Sequence, residues 1–291
     1  MSPSERLASV RIGLVVHAGR PAARAAAERA VELLRAPGVE LVGFTQDGWA
    51  DADVEERDEH DFGVGLDAVV VFGGDGTFLR AAHLARDRGV PLLLVNLGRL
   101  GFLSEVEVAD VPEAVARVVA GDFAVEDRMT LTIEVRDAEG KLVDRSWALN
   151  EASVERTVPQ RLTVLEVRVG DTLFAHVPAD GVILATPTGS TAYAFSAGGP
   201  IVSPLIDAIL LQPVAPHSLF DRPLVIDPRE SLSVRPMSED NPCVVGCDGR
   251  QPVNVPLGGE VRVSRGEAPV RMARLGHFDF YGRVRDRFGL R

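Results

Sequence analysis

Residues 67–86 read DAVVVFGGDGTFLRAAHLAR, an apolar, β-branched run joined to a stretch of helix-forming residues through the turn GGDG. A strand that passes through glycines into a helix presents free backbone N–H groups, a ready site for a phosphate. Here a carboxylate, Asp75, stands where the anion would land. Three readings of the turn are open. Asp75 is a helix cap, satisfying orphan N–H groups. Or the turn binds a dinucleotide, although the G-x-G-x-x-G spacing is missing and the nearest variant, GVGLDA at 63–68, precedes the strand. Or Asp75 is a catalytic base or metal ligand beside glycines that let phosphates approach. Electrostatics favour the last, and the positive end of the helix dipole is expected to hold Asp75 ionised.

The same alternation extends to both sides. SVRIGLVVH precedes a helical stretch, PAARAAAERAVELLRAPG, with Pro21 suited to its first turn and Gly38 to its end. VELVGF and PLLLVN read as further strands and VPEAVARVVAGD as a helix, whereas the acidic stretch 46–62 reads as a solvated loop. Alternating strands and helices predict a Rossmann-like parallel α/β domain over residues 1–125. From about residue 126, short strand-like runs separated by Gly, Pro, Asp or Ser predict a β-sandwich-like domain over 126–270. The aromatic, basic tail 271–291 is expected to form a helix and pack back on the first domain.

Composition narrows the function. The chain has 291 residues, 46% hydrophobic and 25% charged, with a formal net charge of −11. That balance disfavours a nucleic-acid coat or a polybasic membrane anchor, and no apolar run is long enough to span a membrane. With no apolar core of a signal peptide near the start, a cytoplasmic location is expected. The two cysteines, Cys243 and Cys247, have no second ligand pair nearby and read as buried thiols. No metal-ligating residues are expected. Lys141 is the only lysine and lies in a polar turn, so neither a P-loop lysine nor a protein-kinase strand lysine is available. Any nucleotide phosphates must be handled by arginine, metal or backbone.

Other segments carry polar groups in suggestive places. ATPTGSTAYAFSAGG, from Ala185, combines hydroxyls, glycines and Tyr193 in a loop between apolar runs. It reads either as a Ser/Thr-rich turn or as a cradle for ribose and base; it lacks the G-x-S-x-G elbow of a serine nucleophile. Asn150 and Glu151 follow an apolar run, where an Asn cap and an adenosine contact are both open readings. His217 has no acidic neighbour in sequence and reads as structural.

Taken together, GGDGT at 73–77, NLGRLGFLSE at 96–105, NEASVER from Asn150, DGVILATPTGSTAYAFSAGGPIVSP from Asp180, HSLFDRPL from His217 and CDGR from Cys247 resemble the NAD kinase family. GGDGT alone is shared with diacylglycerol-type lipid kinases and, in related form, phosphofructokinases; the long TPTGSTAY…SAGGPI segment is far more specific. The resemblance implies transfer of the ATP γ-phosphoryl group to the 2′-hydroxyl of the adenosine ribose of NAD, with Asp75 as the base. It implies Gly74, Gly76 and Arg80 at the nucleotides, and Asn150, Glu151, Arg161, Asp180, Thr191, Ala192, Tyr193, Ser196 and Ala215 around NAD. ATP and NAD are the implied substrates, Mg2+ or another divalent cation the cofactor, and a homodimer or homotetramer the assembly, with no nucleic-acid or membrane partner. Arg250, where many members have glutamine, the pair Phe220–Asp221 and the acidic stretch 46–62 depart from the family pattern. A lipid or sugar kinase sharing the turn, or a non-catalytic NAD-binding regulator, are the alternatives.

Overall fold

The computed structural model describes residues 9–17, 19–97, 101–159, 161–218, 221–238 and 240–290. Residues 98–100 of the NLGRLGFLSE motif and Phe220 therefore lie outside the described residues. The chain divides into two compact units, Met1–Asp127 with Val270–Arg291, and Arg128–Pro269.

The first unit opens with β1 (Val10–Val16), α1 (Pro21–Leu34), β2 (Val39–Phe44), β3 (Val54–Arg57), β4 (Ala68–Gly73) and α2 (Asp75–Ala85). It continues through β5 (Leu92–Asn96), β6 (Val106–Glu107), α3 (Val111–Val119) and β7 (Ala124–Arg128). Helix α1 begins with proline in its first turn and buries Ala23, Ala26, Ala27, Ala30, Val31 and Leu34, the stripe that three- and four-residue spacing places on one face. Ile12, Leu14 and Val16 of β1 with Val70 and Phe72 of β4 join that stripe in one core. The alternate residues point to the opposite face, where α2 lies against β4 and β5. All of β4 and β5 is buried, as expected of central parallel strands covered on both sides, and each buried Val or Leu contributes roughly 1.5–3 kcal/mol.

The acidic stretch 46–62 is not a solvated loop. Asp47 is 3% exposed, β3 extends the sheet edge and Phe62 is fully buried, edge-on to Phe44 at 6.0 Å. Val54 and Phe62 are apolar anchors that override the local charge, and Asp47 is buried because it has partners.

The second unit is antiparallel. Its strands are β8 (Leu131–Arg136), β9 (Leu142–Ala148), β10 (Glu151–Arg156), β11 (Thr163–Val169), β12 (Thr172–Ala179) and β13 (Gly181–Ala185), then β14 (Ile209–Val214), β15 (Leu224–Ile226), β16 (Leu232–Pro236), β17 (Cys243–Cys247), β18 (Val253–Asn254) and β19 (Glu260–Arg265). They form two six-stranded sheets, β15-β14-β13-β10-β17-β18 and β12-β11-β16-β19-β8-β9. Strict alternation along β8 and β11 sends Leu131, Ile133, Val135, Leu165 and Val167 into one core with Val154, Val182 and Leu184 of the other sheet. Strand β13 is buried on both sides, because Ile183 and Ala185 pack outward against Ala194 and Leu210. Ala194 belongs to the short helix α4 (Tyr193–Ser196), so the loop after β13 is pinned to the outer face of its own sheet.

The chain returns to the first unit with β20 (Val270–Arg274) and α5 (Phe280–Phe288). That completes the order β3-β2-β1-β4-β5-β20-β7, with β6 paired to β5.

Candidate functional site

Each unit holds a group of the residues singled out by sequence. In the first unit, α2 starts at Asp75, three residues before the apolar Phe78, with Gly74 as its N-cap. A side chain at Gly73 would collide with Thr77, so that glycine is required by the turn itself. Nothing lies within 4 Å of where a side chain at Gly74 or Gly76 would go. Both glycines face a cavity of about 500 Å³ lined also by His17, Gly19, Arg20, Asp75, Thr77 and Arg80. The first turn of α2 and the N-cap of α1, Arg20, line this cavity, so backbone N–H groups of α2 and two arginines make it suited to a polyanion.

Asp75 differs from the expectation drawn from the dipole. Burial raises its carboxyl above the usual 3.8, outweighing the backbone N–H groups of Phe102 (3.2 Å) and Leu103 (3.4 Å) and the charges of Arg287 and Arg283, which lower it. Desolvation wins because the carboxyl is packed against Gly101, where any side chain would collide with it. The result is a carboxylate oriented by two amides and more basic than an exposed one.

Arg80 lines the cavity, but its guanidinium is already engaged. It donates to the fully buried Asp47 carboxylate (2.6 Å) and to the Val16 carbonyl (2.7 Å), and Asp47 also accepts from the Val16 N–H (2.7 Å). Asp47 thus fixes Arg80 at the cavity wall while offsetting its charge. The signal for Asp47 is its place in the turn three residues after the buried end of β2, masked by the acids that follow.

In the second unit, β10 begins at Glu151 beside the end of β13, and the loop after β13 folds back over Asn150. The Asn150 carbonyl accepts from the Thr186 N–H (2.9 Å), and the Thr186 hydroxyl donates to the Leu149 carbonyl (2.5 Å) and accepts from the Gly189 N–H (3.1 Å). Asp248, in the CDGR turn, clamps this corner from the other side by accepting from the N–H groups of Leu149 (2.7 Å), Asn150 (2.8 Å) and Glu151 (3.1 Å). Asp248 sits at φ 51°, a left-handed conformation that Asp tolerates in an Asp-Gly turn. The CDGR motif does not by itself disclose this role of Asp248; its local signal is the Asp-Gly pair.

One oxygen of Glu151, Oε2, is buried with no hydrogen-bond partner among the described residues. Burial, then the nearby Asp248 charge, pushes the Glu151 carboxyl up to about 7, against the Tyr193 N–H, which lowers it. The folded chain therefore keeps a proton here that the unfolded chain loses between pH 4.5 and about 7, so stability falls as pH rises through that window. Glu151→Gln is expected to raise Tm at pH 8 and to leave it nearly unchanged at pH 4.5, as thermal scans at the two pH values would register. An equal change at both would remove the carboxyl's ionisation from the corner's energetics.

Tyr193 is part-exposed and its hydroxyl donates to Glu155 (3.4 Å) along the same strand. Thr191 and Ala192 close the preceding turn, with Thr191 bonded to the Thr188 carbonyl (3.4 Å), and the Ser196 N–H reaches the Ala192 carbonyl (3.4 Å). Asp180 is ion-paired with Arg156 (2.8 Å), which with His217 holds its carboxyl below the usual range. The Asp180 N–H bonds the Val214 carbonyl, which sets it beside Ala215, a residue at φ 45°. His217 is exposed and anchored by its own N–H on the Pro178 carbonyl (2.7 Å). Glu151 thus opens β10, Asp180 directly precedes β13 and Ala215 directly follows β14, while Tyr193 of α4 reaches Glu155 on β10. Arg161 lies beyond the end of β10, donating to the Asp240 carbonyl (3.2 Å), and among the described residues no hydrogen bond ties it to that group. Arg250 donates to the Trp147 carbonyl (3.1 Å). Cys243 and Cys247 are buried thiols, both raised by burial.

Comparison with known proteins bears on both units. Residues 12–123 match the model of the ATP-NAD kinase N-terminal domain and residues 149–275 that of the ATP-NAD kinase C-terminal domain. A Streptomyces coelicolor protein named NAD kinase 2 is 42% identical over 295 residues, spanning 95% of this chain and 93% of the relative. The crystal structure of yeast NADH kinase complexed with NADH superposes with a TM-score of 0.85 at 25% identity, covering 98% of this chain and 91% of that one. An NAD kinase from Archaeoglobus fulgidus in complex with ATP gives 0.71 at 26% identity, covering 97% and 98%.

Proposed function

The chain belongs to the NAD kinase family, and from that premise we propose how its residues divide the transfer of the ATP γ-phosphoryl group to NAD. The acceptor is the 2′-hydroxyl of the adenosine ribose, and the products are NADP and ADP. A ribose hydroxyl is a weak nucleophile, so the reaction needs a base that takes its proton as the new P–O bond forms. Asp75 is that base. The observation that carries the assignment is its carboxyl, oriented by two amides at the wall of an open, glycine-floored cavity and made more basic by burial. A carboxyl whose pKa moves toward the working pH is a stronger proton acceptor without losing its ionised form.

Gly74 and Gly76 leave room for phosphate oxygens to reach the backbone, and Arg80 stands at the same wall. Asn150, Glu151, Asp180, Thr191, Ala192, Tyr193, Ser196 and Ala215 bind NAD, with Arg161 toward its periphery. Glu151 Oε2 is the natural acceptor for a ribose hydroxyl, since it is buried and lacks a partner among the described residues. The face of Tyr193 serves a base.

A divalent cation, Mg2+ foremost, would arrive with the donor as Mg–ATP and would supply the charge neutralisation for which no phosphate-side lysine is available. Among the described residues no group of three or more His, Cys, Asp or Glu could hold a metal on protein ligands alone. No step is therefore assigned to a protein-held ion. No helix among the described residues is long and apolar enough to cross a membrane. A cytoplasmic homodimer or homotetramer completes the proposal.

The test is direct. Purified protein is incubated with Mg–ATP and NAD, and an NADP-specific dehydrogenase reports the product. NADP formation supports the reading; ATP consumption only with a lipid or sugar acceptor, or NAD binding with no turnover, would overturn it.

A further inference from the structure

We propose that Arg283, on the C-terminal helix α5, is a positioning residue for the base: it locks the loop 101–104 whose amides orient the Asp75 carboxylate. This rests on the reading of Asp75 as the base.

The geometry is a closed bracket. One guanidinium nitrogen of Arg283 donates to the Gly101 carbonyl (3.0 Å) and to the Ser104 hydroxyl (3.0 Å), while that hydroxyl donates to the same carbonyl (3.2 Å). The two residues between those anchors, Phe102 and Leu103, are the pair whose N–H groups hold Asp75. The Phe102 ring is met by both ends of α5, Phe280 at 6.3 Å and Phe288 at 6.4 Å between centroids. The next residue, Glu105, is tied to the chain just before the helix, accepting from the buried Arg274 side chain (2.7 Å) and the Leu275 N–H (3.0 Å). The start of the helix is capped by Asp279, which accepts from the Gly282 N–H (2.8 Å). Gly101 leaves no slack, because the Asp75 carboxylate fills the space where its side chain would be.

Displacement of a reacting group by about 1 Å can cost on the order of 100-fold, so a loop held by the far end of the chain matters to turnover. The charged groups acting on Arg283 are the acids Glu105, Asp75 and Glu107 and the cation Arg274; those acting on Asp75 are Arg287 and Arg283. Losing Arg283 removes one of the charges and loosens the amides, both of which favour the ionised carboxyl. The carboxyl then protonates at a higher pH.

The experiment measures kcat, both KM values and the pH dependence of kcat for Arg283→Gln, Arg283→Lys, Asp75→Asn and the double variant Asp75→Asn/Arg283→Gln. Arg283→Gln is expected to lower the plateau of kcat by roughly 10-fold or more, leave KM for NAD and ATP within about twofold, and move the acid limb to higher pH. Arg283→Lys is expected to restore most of the acid limb and only part of the plateau. In the Asp75→Asn background, losing Arg283 is expected to cost less than about twofold, because the residue acts through the base. Unchanged kcat and acid limb in folded Arg283→Gln, or the full loss repeated in the Asp75→Asn background, would overturn the proposal. Near-normal kcat in Asp75→Asn would instead overturn the base reading itself. Should Arg283→Gln not fold, Phe102→Leu loosens the same loop without touching a charge; it is expected to lower kcat at unchanged KM, and unchanged kcat would count against the proposal.

Discussion

Asp75→Asn is expected to reduce kcat by about 10²–10⁴-fold while NAD and ATP still bind, because what it removes is a proton acceptor of the transition state. The carboxamide keeps the size of the side chain but offers one acceptor oxygen in place of two, so one of the Phe102 and Leu103 N–H groups loses its partner. That loss costs about 1–3 kcal/mol, partly offset because a buried ionisable group is gone. The fold therefore survives, and circular dichroism with a thermal scan separates the effect from unfolding. The wild-type enzyme carries the complementary signature. A base must be deprotonated, so kcat holds at high pH and falls as pH drops through the Asp75 pKa, which lies above 3.8. Near-normal kcat in the variant would remove Asp75 from the mechanism.

Gly189→Ala carries the second large effect. An added side-chain carbon would run into the carbonyl oxygen of Asn150, with the rest of that residue's backbone close behind. No flexible side chain can yield there, since the obstacle is main chain held by the Thr186 N–H and by Asp248. Overpacking of this kind costs about 3 kcal/mol, the upper end of the usual range, which in a chain of this size lowers Tm by roughly 5–10 °C. The corner that moves includes Asn150 and Glu151, so KM for NAD is expected to rise by on the order of 10-fold or more, with a smaller change in KM for ATP. Unchanged Tm and KM would show that the loop does not press on this corner.

Much of the molecule is legible in the sequence because its signals are local. The apolar runs of β1, β4 and β5 carry their parallel placement in their lack of polar alternation, and the alternation along β8 and β11 marks sheets with one face in the core. Pro21 and the GGDG turn likewise mark helix starts. What escaped depends on partners far along the chain. The acids of 46–62 suggest solvent, yet Asp47 is buried because Arg80, more than thirty residues later, meets it. The helix dipole suggests a lowered Asp75 carboxyl, but the packing of residues 101–103 desolvates it and burial wins. Asp248 orders three amides nearly a hundred residues earlier, and Asp180 is ion-paired with Arg156 across the adjacent strand. Each is a tertiary meeting of two ordinary-looking residues.

The most direct measurement is the separation of the Asp75 carboxylate from the ribose O2′ atom in a crystal structure with NAD bound. The account predicts an oxygen-to-oxygen distance of about 2.6–3.2 Å, or a single bridging water. An O2′ atom beyond such reach, with another residue in contact with it, would contradict the account.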